Sequence, residues 1–314
     1  MKKIFIDGRA GTTGLRIEKR LAARRDLELL ALPEHLRKDT EARRTMRNAA
    51  DVVFLCLPDD AAREAALLVE NPATVVIDAS TAHRTAPGWA YGFPELSAAH
   101  RDAICAGKRI AVPGCHAGGF VALVHPLVQA GLLAKASLLH CFSLTGYSGG
   151  GKSMIAEYEA DSRARGDALA APKQYAIAQA HKHLPEMQRI PGLDTPPVFC
   201  PIVADYDCGM EVTVPLHGAQ LRPAARRCDL LACYQSTYGD AALVRVTEAP
   251  AERGASALRG KDWMEITVAG NDDRPLLLAR FDNLGKGASG AAVQCMNLAL
   301  GAEETAGLTL ENFD

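Results

Sequence analysis

The sequence predicts an α/β protein in two parts, a parallel-sheet domain and a domain of α+β type. Three observations carry that expectation. Short apolar runs alternate with helical stretches over the first 114 residues, a glycine-rich turn separates the first run from the first helix, and longer alternating strands follow. With 314 residues, 48% of them apolar and 23% charged, the chain can bury the cores of two domains.

The elements follow in order. KIFIDGRAGTTGLRIEKRLAARRD reads as a strand, a turn and a helix with leucine and alanine on one face. Further apolar runs stand at 27–32, 51–58, 74–78 and 109–114, with a helical stretch at 61–70, and the alternation implies right-handed βαβ units. HAGGFVALVHPLV begins a helix after Pro113 and Gly114, and a helical stretch is expected over 154–165. Residues 199–217 and 263–281 alternate as strands, the second pair joined by a polar NDD turn, which predicts an antiparallel sheet. GASGAAVQCMNLALG, 287–301, is a small-residue helix ending at Gly301 that suits close packing on the first sheet. The expected division is 1–114 with 287–314, and 115–286.

A formal charge of −2 gives no reason to expect nucleic acid or an anionic membrane as partner. The amino terminus enters a strand directly, and no window reaches the roughly 18 apolar residues of a membrane span, so a cytoplasmic protein is expected. Nine scattered cysteines, odd in number and without a CxxC pair, argue against a disulfide framework and a zinc ribbon.

Gly8, Gly11 and Gly14 space the turn GRAGTTG as GxxGxxG, between strand and helix. Glycines there let the backbone approach a pyrophosphate, which the free N–H groups of a helix start stabilise, so a Rossmann-type dinucleotide-binding domain is expected. Glu34 lies where an acidic residue could hold a ribose, while Arg37 and Lys38 could neutralise a 2′-phosphate; solvated loop residues are the alternative. GYSGGGKS, 146–153, matches a phosphate-binding P-loop literally, which raises a nucleotide-binding protein as a competing reading. The apolar run ending in Asp78 lies upstream of it, where a P-loop order usually puts the magnesium-binding strand downstream. A non-catalytic dinucleotide-binding regulator is a further alternative.

HKHLPE, 181–186, is the other dense cluster. His181 and His183 share a face only in extended chain, and no third ligand follows at metal spacing, so no metal is expected. His183 fits a general acid/base, with Glu186 three residues on able to fix its ring. Cys115, if it opens a helix after a parallel strand, is a candidate thiolate beside amides that can serve as an oxyanion hole.

At these residues the chain resembles the N-acetyl-γ-glutamyl-phosphate reductases in their shorter form, relatives of the aspartate-semialdehyde dehydrogenases. The resemblance runs over nearly the whole chain: GTTGL (11–15), FLCLPDD (54–60), DASTAHR (78–84), YGFPEL (91–96), VPGC (112–115), SGGGK (148–152), HKHLPE and DNLGKGASGAA (282–292). It implies an NADP(H)-binding domain built from both chain ends, a central catalytic and oligomerisation domain, and a homodimer or homotetramer. It implies that Cys115 displaces phosphate from an acyl phosphate to form a thioester, with His183 as acid/base and Glu186 as its orienting carboxylate. Gly8, Gly11, Thr12, Thr13, Gly14, Leu57, Pro58 and Ser80 would lie along the cofactor, Asn283 and Gly287 beside the nicotinamide. Arg84, Ser148 and His181 would face the substrate. A sister reductase of aspartyl or aminoadipyl phosphate is the alternative. His116, where longer members usually carry an aromatic residue, competes as base, although adjacent helical residues point about 100° apart.

Overall fold

The chain, seen in a computed structural model that describes residues 1–160, 163, 166–249 and 252–311, divides into two units. Met1–Pro113 and Ala288–Leu308 form the first; Gly114–Gly287 and the segment from Thr309 form the second.

Unit 1 alternates strands and helices: β1 (Lys2–Asp7), α1 (Thr12–Leu21), β2 (Leu27–Leu30), α2 (Thr40–Ala49), β3 (Val52–Leu55), α3 (Asp59–Leu67), β4 (Val75–Asp78), β5 (Ala90–Tyr91), α4 (Ala98–Ala106) and β6 (Arg109–Ala111). The six strands pair in parallel in the order β2-β1-β3-β4-β6-β5. Side chains alternate across the sheet, so Ile4 and Ile6 join Phe54, Ile77 and Ile110 on one face, against Ile17, Leu21, Ile104 and Val293. Phe5, Val53, Leu55 and Val76 fill the other face against Ala65 and Ala66. Burial on both faces explains why the strands read as continuous apolar runs. The strand order reverses between β1 and β3, and ligands of such sheets bind at the carboxyl ends of the strands at that point.

Unit 2 contains α5 (Cys115–Gln129), β7 (His140–Gly146), α6 (Gly151–Tyr158), β8 (Lys173–Gln174), α7 (Leu184–Arg189), β9 (Val198–Ala204), β10 (Met210–Pro215), α8 (Arg227–Tyr238), β11 (Val244–Thr247), β12 (Met264–Gly270) and β13 (Pro275–Phe281). Its sheet runs β11-β12-β13-β10-β7-β9-β8. Contrary to the antiparallel expectation this sheet is mixed, because β7 pairs β9 and β11 pairs β12 in parallel. The chain between β7 and β9 carries α6, β8 and α7, long enough for the crossover that parallel pairing requires. The expected strands of 199–217 are β9 and β10, which are not neighbours because β7 lies between them. The helix expected over 154–165 ends at Tyr158, and residues 161, 162, 164 and 165 lie outside the described residues.

Helix α5 is buried from His116 to Val128. It approaches the sheet at Gly119, where a Cβ would stand 2.6 Å from Val212 and 2.8 Å from Phe281. Pro126 lies inside α5 and has no N–H for the carbonyl of Ala122. The hydroxyl of Tyr238 on α8 donates to that carbonyl at 2.7 Å, and Tyr234 donates to the carbonyl of Leu123 at 2.5 Å. Two buried tyrosines thus satisfy the backbone that the proline disturbs.

After β13 a wide helical turn at Gly285–Ser289 leads into α9 (Gly290–Ala299), which packs against α1, α4 and β4 in unit 1. Among the described residues no helix is long and apolar enough to cross a membrane.

Candidate active site

In unit 1 the turn after β1 has the form of a dinucleotide cradle. Gly8 has φ +86°, and a Cβ there would stand 2.2 Å from the carbonyl oxygen of Cys56; a Cβ at Gly14 would stand 2.7 Å from the Gly8 carbonyl. No side chain caps α1, which starts at Thr12 after Gly11 and has no acidic residue in its first turn. Amides of Thr12, Thr13 and Gly14 therefore open a positive helix end to an anion. Gly8 and Leu57 line a cavity of about 390 Å³ with Arg9, Leu32, Glu34, Arg37 and Arg43. Pro58 caps α3 beside it.

Gly8→Ala is expected to destabilise the protein by at least about 2 kcal/mol in urea unfolding, from positive-φ strain plus the clash with Cys56. Gly301→Ala, at φ +65° with nothing within 4 Å of the added Cβ, is expected to cost only about 1 kcal/mol. Equal losses in the two variants would mean that the close approach at Gly8 carries no energy.

Asp78 ends β4 and is fully buried. It accepts hydrogen bonds from the Ser80 amide at 2.9 Å and the Ser80 hydroxyl at 2.7 Å, and lies 2.6 Å from His83 Nδ1. The His83 ring stacks on Trp89 with centroids 3.9 Å apart. Arg84 donates to the carbonyls of Val112 (2.9 Å) and Ala79 (3.3 Å), so its guanidinium braces the end of β6.

In unit 2 Cys115 is the first residue of α5, with Gly114 as an N-cap that offers no side chain. The amides of that first turn face the same end as the thiol. Glu186, buried on α7, accepts the N–H of Gly114 at 2.9 Å, so its carboxylate holds the turn that delivers Cys115. The Cys115 thiol is partly exposed, whereas burial pushes Cys56 up to about 12 and Cys141 well up, which keeps those two thiols protonated.

His116, His181 and His183 form a cluster. Ring centroids stand 4.7 Å apart for His181 and His183, 5.6 Å for His116 and His183, and 5.8 Å for His116 and His181. His183 is buried at the start of α7, and its backbone N–H donates to His181 Nδ1 at 3.2 Å. His116 lies with Nδ1 2.7 Å from Ser143 Oγ and Nε2 2.7 Å from the Tyr175 hydroxyl. Burial first, and the neighbouring His181 second, lower its pKa to about 3. The ring is therefore neutral across the working range with both nitrogens engaged, and the competing reading of His116 as base fails. Between about pH 6.5 and 3 the unfolded chain binds a proton at His116 that the folded chain does not, so this group removes stability as pH falls through that window. Tyr175 and Ser143 carried no signal in the sequence, since only the pairing of distant strands brings them to α5.

Ser148 and Asn283, expected on substrate and cofactor respectively, touch each other: Asn283 Nδ2 donates to Ser148 Oγ at 3.1 Å, and its Oδ1 accepts the Gly209 amide at 2.9 Å. Gly287 leaves room beside Cys115, for a Cβ there would stand 3.1 Å from Cys115 Cβ. Two amides of GYSGGGKS are engaged elsewhere, against the P-loop reading. Amides of Tyr147 and Ser148 donate to the carbonyls of Tyr206 (2.9 Å) and Asp207 (3.1 Å), and Gly146 packs so tightly that a Cβ would stand 2.2 Å from the latter. Those amides cannot also wrap a phosphate, and Asp78, in unit 1, holds Ser80 and His83.

Two family models match the chain, a semialdehyde dehydrogenase NAD-binding domain over residues 19–104 and a semialdehyde dehydrogenase dimerisation domain over 115–283. A Pseudomonas putida protein named N-acetyl-gamma-glutamyl-phosphate reductase 2 is 44% identical, covering 97% of this chain and 98% of its own. A protein of Chelativorans sp. named N-acetyl-gamma-glutamyl-phosphate reductase is 45% identical over 95% of this chain and 98% of its own. Among solved structures, aspartate semialdehyde dehydrogenase II of Vibrio cholerae shares the fold at a TM-score of 0.72 with 16% identity, covering 96% of this chain and 98% of that one. The aspartate semialdehyde dehydrogenase of Candida albicans, solved with NADP, does so at 0.66 with 17% identity, covering 95% and 99%. Unit 1 is accordingly a nicotinamide-dinucleotide domain, and the chain belongs to the N-acetyl-γ-glutamyl-phosphate reductase family of oxidoreductases, within the semialdehyde dehydrogenases.

Proposed function

We propose that the protein is a cytoplasmic enzyme of arginine biosynthesis that reduces N-acetyl-γ-glutamyl phosphate to N-acetyl-L-glutamate 5-semialdehyde with NADPH, releasing phosphate. The observation that carries this reading is Cys115 at the start of α5, its turn held by Glu186, with the His181–His183 pair on the adjoining segment. His183 draws the thiol proton, and the thiolate attacks the acyl carbon. A sulfur–carbon bond forms, the bond from carbon to the phosphate oxygen breaks, and phosphate leaves with both electrons. Amides of the first turn of α5 receive the developing oxyanion. The bound cofactor supplies hydride to the thioester. Cys115 then departs as thiolate and recovers its proton from His183. Arg84, Ser148 and His181 are assigned to the substrate, and Ser80, Asn283 and Gly287 to the cofactor with the glycine turn.

NADP is preferred over NAD on the chemistry of the unit 1 cavity. Strand β2 ends at Leu30 and continues as Ala31 and Leu32, with no carboxylate at the strand end to hold a 2′-hydroxyl. Glu34 is ion-paired to Arg37 at 3.3 Å, Arg43 to Asp7 at 2.9 Å and Arg9 to Glu18 at 3.0 Å, so the cavity wall sets the guanidiniums of Arg9, Arg37 and Arg43 against the carboxylates of Asp7 and Glu34 and keeps an excess of positive groups. The deciding assay is phosphate- or arsenate-dependent oxidation of N-acetylglutamate semialdehyde, run with NADP and NAD beside aspartate and aminoadipate semialdehydes. Greater turnover of either competitor would overturn the substrate, and a preference for NAD would overturn the cofactor.

Self-association as a homodimer or homotetramer is assigned to unit 2. Odd-numbered residues of β7 face α5, while the even-numbered face stays open, with Phe142 41%, Val198 47% and Leu276 36% exposed. An apolar sheet face of this kind suits a second copy, in line with the dimerisation-domain match over 115–283. Phe142→Glu is expected to shift sedimentation velocity toward the monomer; an unchanged sedimentation coefficient would put the interface elsewhere.

A further inference from the structure

Three arginines line the cavity at the glycine turn of unit 1, and they differ in how their charge is met. Arg9 stands 3.0 Å from Glu18 and Arg37 stands 3.3 Å from Glu34, so each of these guanidiniums has a carboxylate of its own. Asp7, the last residue of β1, serves two. Its Oδ2 accepts from Arg47 Nε at 2.7 Å and lies 2.6 Å from Arg47 Nη2, while its Oδ1 accepts from Arg43 Nε at 3.0 Å and lies 2.9 Å from Arg43 Nη2. One negative charge therefore meets two positive ones, and the group keeps a positive charge in excess.

The packing of α2 decides where that excess is offered. Arg43 and Arg47 are four residues apart on this helix and so lie on one face of it. Arg47 is buried, whereas Arg43 lines the cavity, so Arg47 offsets the carboxylate and Arg43 presents the charge. A guanidinium has five N–H donors in a planar fork. Arg43 turns Nε and Nη2 to Asp7, and among the described residues its Nη1 amino group makes no hydrogen bond. Leu30, Ala31 and Leu32 line the same cavity, so Arg43 shares one space with the end of β2, where the adenosine ribose of a dinucleotide rests in this fold. The side chains of Arg9 and Arg37 are 55% and 53% exposed and would lose rotamer freedom on binding; that of Arg43, 22% exposed, is already held.

We propose that Arg43 is the residue that selects NADP over NAD, its Nη1 amino group donating to the 2′-phosphate while Nε and Nη2 stay on Asp7. The proposal rests on the reading of the cofactor as NADP and narrows the choice among the three arginines of the cavity to one. A phosphate bonded in this way meets a guanidinium fixed at two of its nitrogens, and the Asp7 charge beneath it is offset by Arg47.

The test is fluorescence titration of the full-length protein with NADPH and, separately, with NADH. Arg43→Ala is expected to weaken NADPH binding at least about tenfold, the effect of losing a charge-assisted hydrogen bond, and to change NADH binding by less than about twofold. Arg37→Ala, which removes an exposed and screened charge, is expected to weaken NADPH binding by no more than about threefold. Arg43→Lys keeps the charge without the fork and should fall between the two. An unchanged NADPH affinity in Arg43→Ala, or an equal loss for NADPH and NADH, would overturn the proposal, the second because it would mark Arg43 as a support of the cavity only. A larger loss in Arg37→Ala than in Arg43→Ala would give the phosphate to Arg37 and overturn it too. Should Arg43→Ala not fold, an unchanged NADPH affinity in Arg43→Lys does the same. A parent protein that binds NADH as tightly as NADPH would overturn the NADP reading itself, and the parent titrations show this apart from any variant.

Discussion

Cys115→Ser is expected to bind NADPH as the parent does and to reduce N-acetyl-γ-glutamyl phosphate at least about a thousandfold more slowly. Serine keeps the shape of the side chain and the helix start, so the loss isolates nucleophilicity. An alcohol at neutral pH holds almost no alkoxide, and the amides and dipole of α5 stabilise an anion only once it exists. Cofactor affinity should not move, because the glycine cradle belongs to unit 1 and serine keeps the shape of the side chain beside Gly287. Steady-state turnover and fluorescence titration of NADPH measure the two effects separately. Cys105→Ser and Cys228→Ser, at exposed helical positions, are the controls expected to retain full turnover. Turnover of Cys115→Ser within tenfold of the parent would sink the covalent mechanism.

What could be read without coordinates follows the range of the interactions involved. GRAGTTG is legible because strand, turn and helix are consecutive in the chain, and the need for glycine at Gly8 comes from the neighbouring strand end at Cys56. The helix start at Cys115 is legible for the same local reason, as Pro113 and Gly114 end one element and an apolar helical pattern opens the next. The hairpin of β12 and β13 announces itself through its polar turn and its alternation.

The parallel pairing of β7 with β9 carries no such mark, since both strands alternate like antiparallel ones. That pairing is what brings Ser143 and Tyr175 to His116, so the environment of the histidine was as hidden as the register. Glu186 illustrates the same limit. Spacing places Glu186 near His183, but not the amide 72 residues earlier that its carboxylate also accepts. The P-loop match is the converse case, a local pattern whose Tyr147 and Ser148 amides are claimed by a distant loop at Tyr206 and Asp207.

His183→Ala is expected to lower kcat by about 10²–10³-fold, the usual worth of a positioned acid/base, and to remove the acidic limb of the pH–rate profile. The sign follows from the role. A base must be unprotonated to draw the Cys115 proton, so the parent loses activity as pH falls through the pKa of that base, and a variant without it has no such limb. His116 cannot supply the limb, because its ring is neutral down to about pH 3 with both nitrogens engaged. His181 can be separated by substitution: its Nδ1 accepts the amide of His183, so His181→Ala should disturb the position of its neighbour and reduce kcat while leaving the limb in place. A flattened limb in His181→Ala and a normal one in His183→Ala would reverse the assignment. Nucleophile and base work as one unit, so Cys115→Ser combined with His183→Ala should be no slower than Cys115→Ser alone. An additive loss in that double variant would mean that His183 acts on a step after sulfur has left.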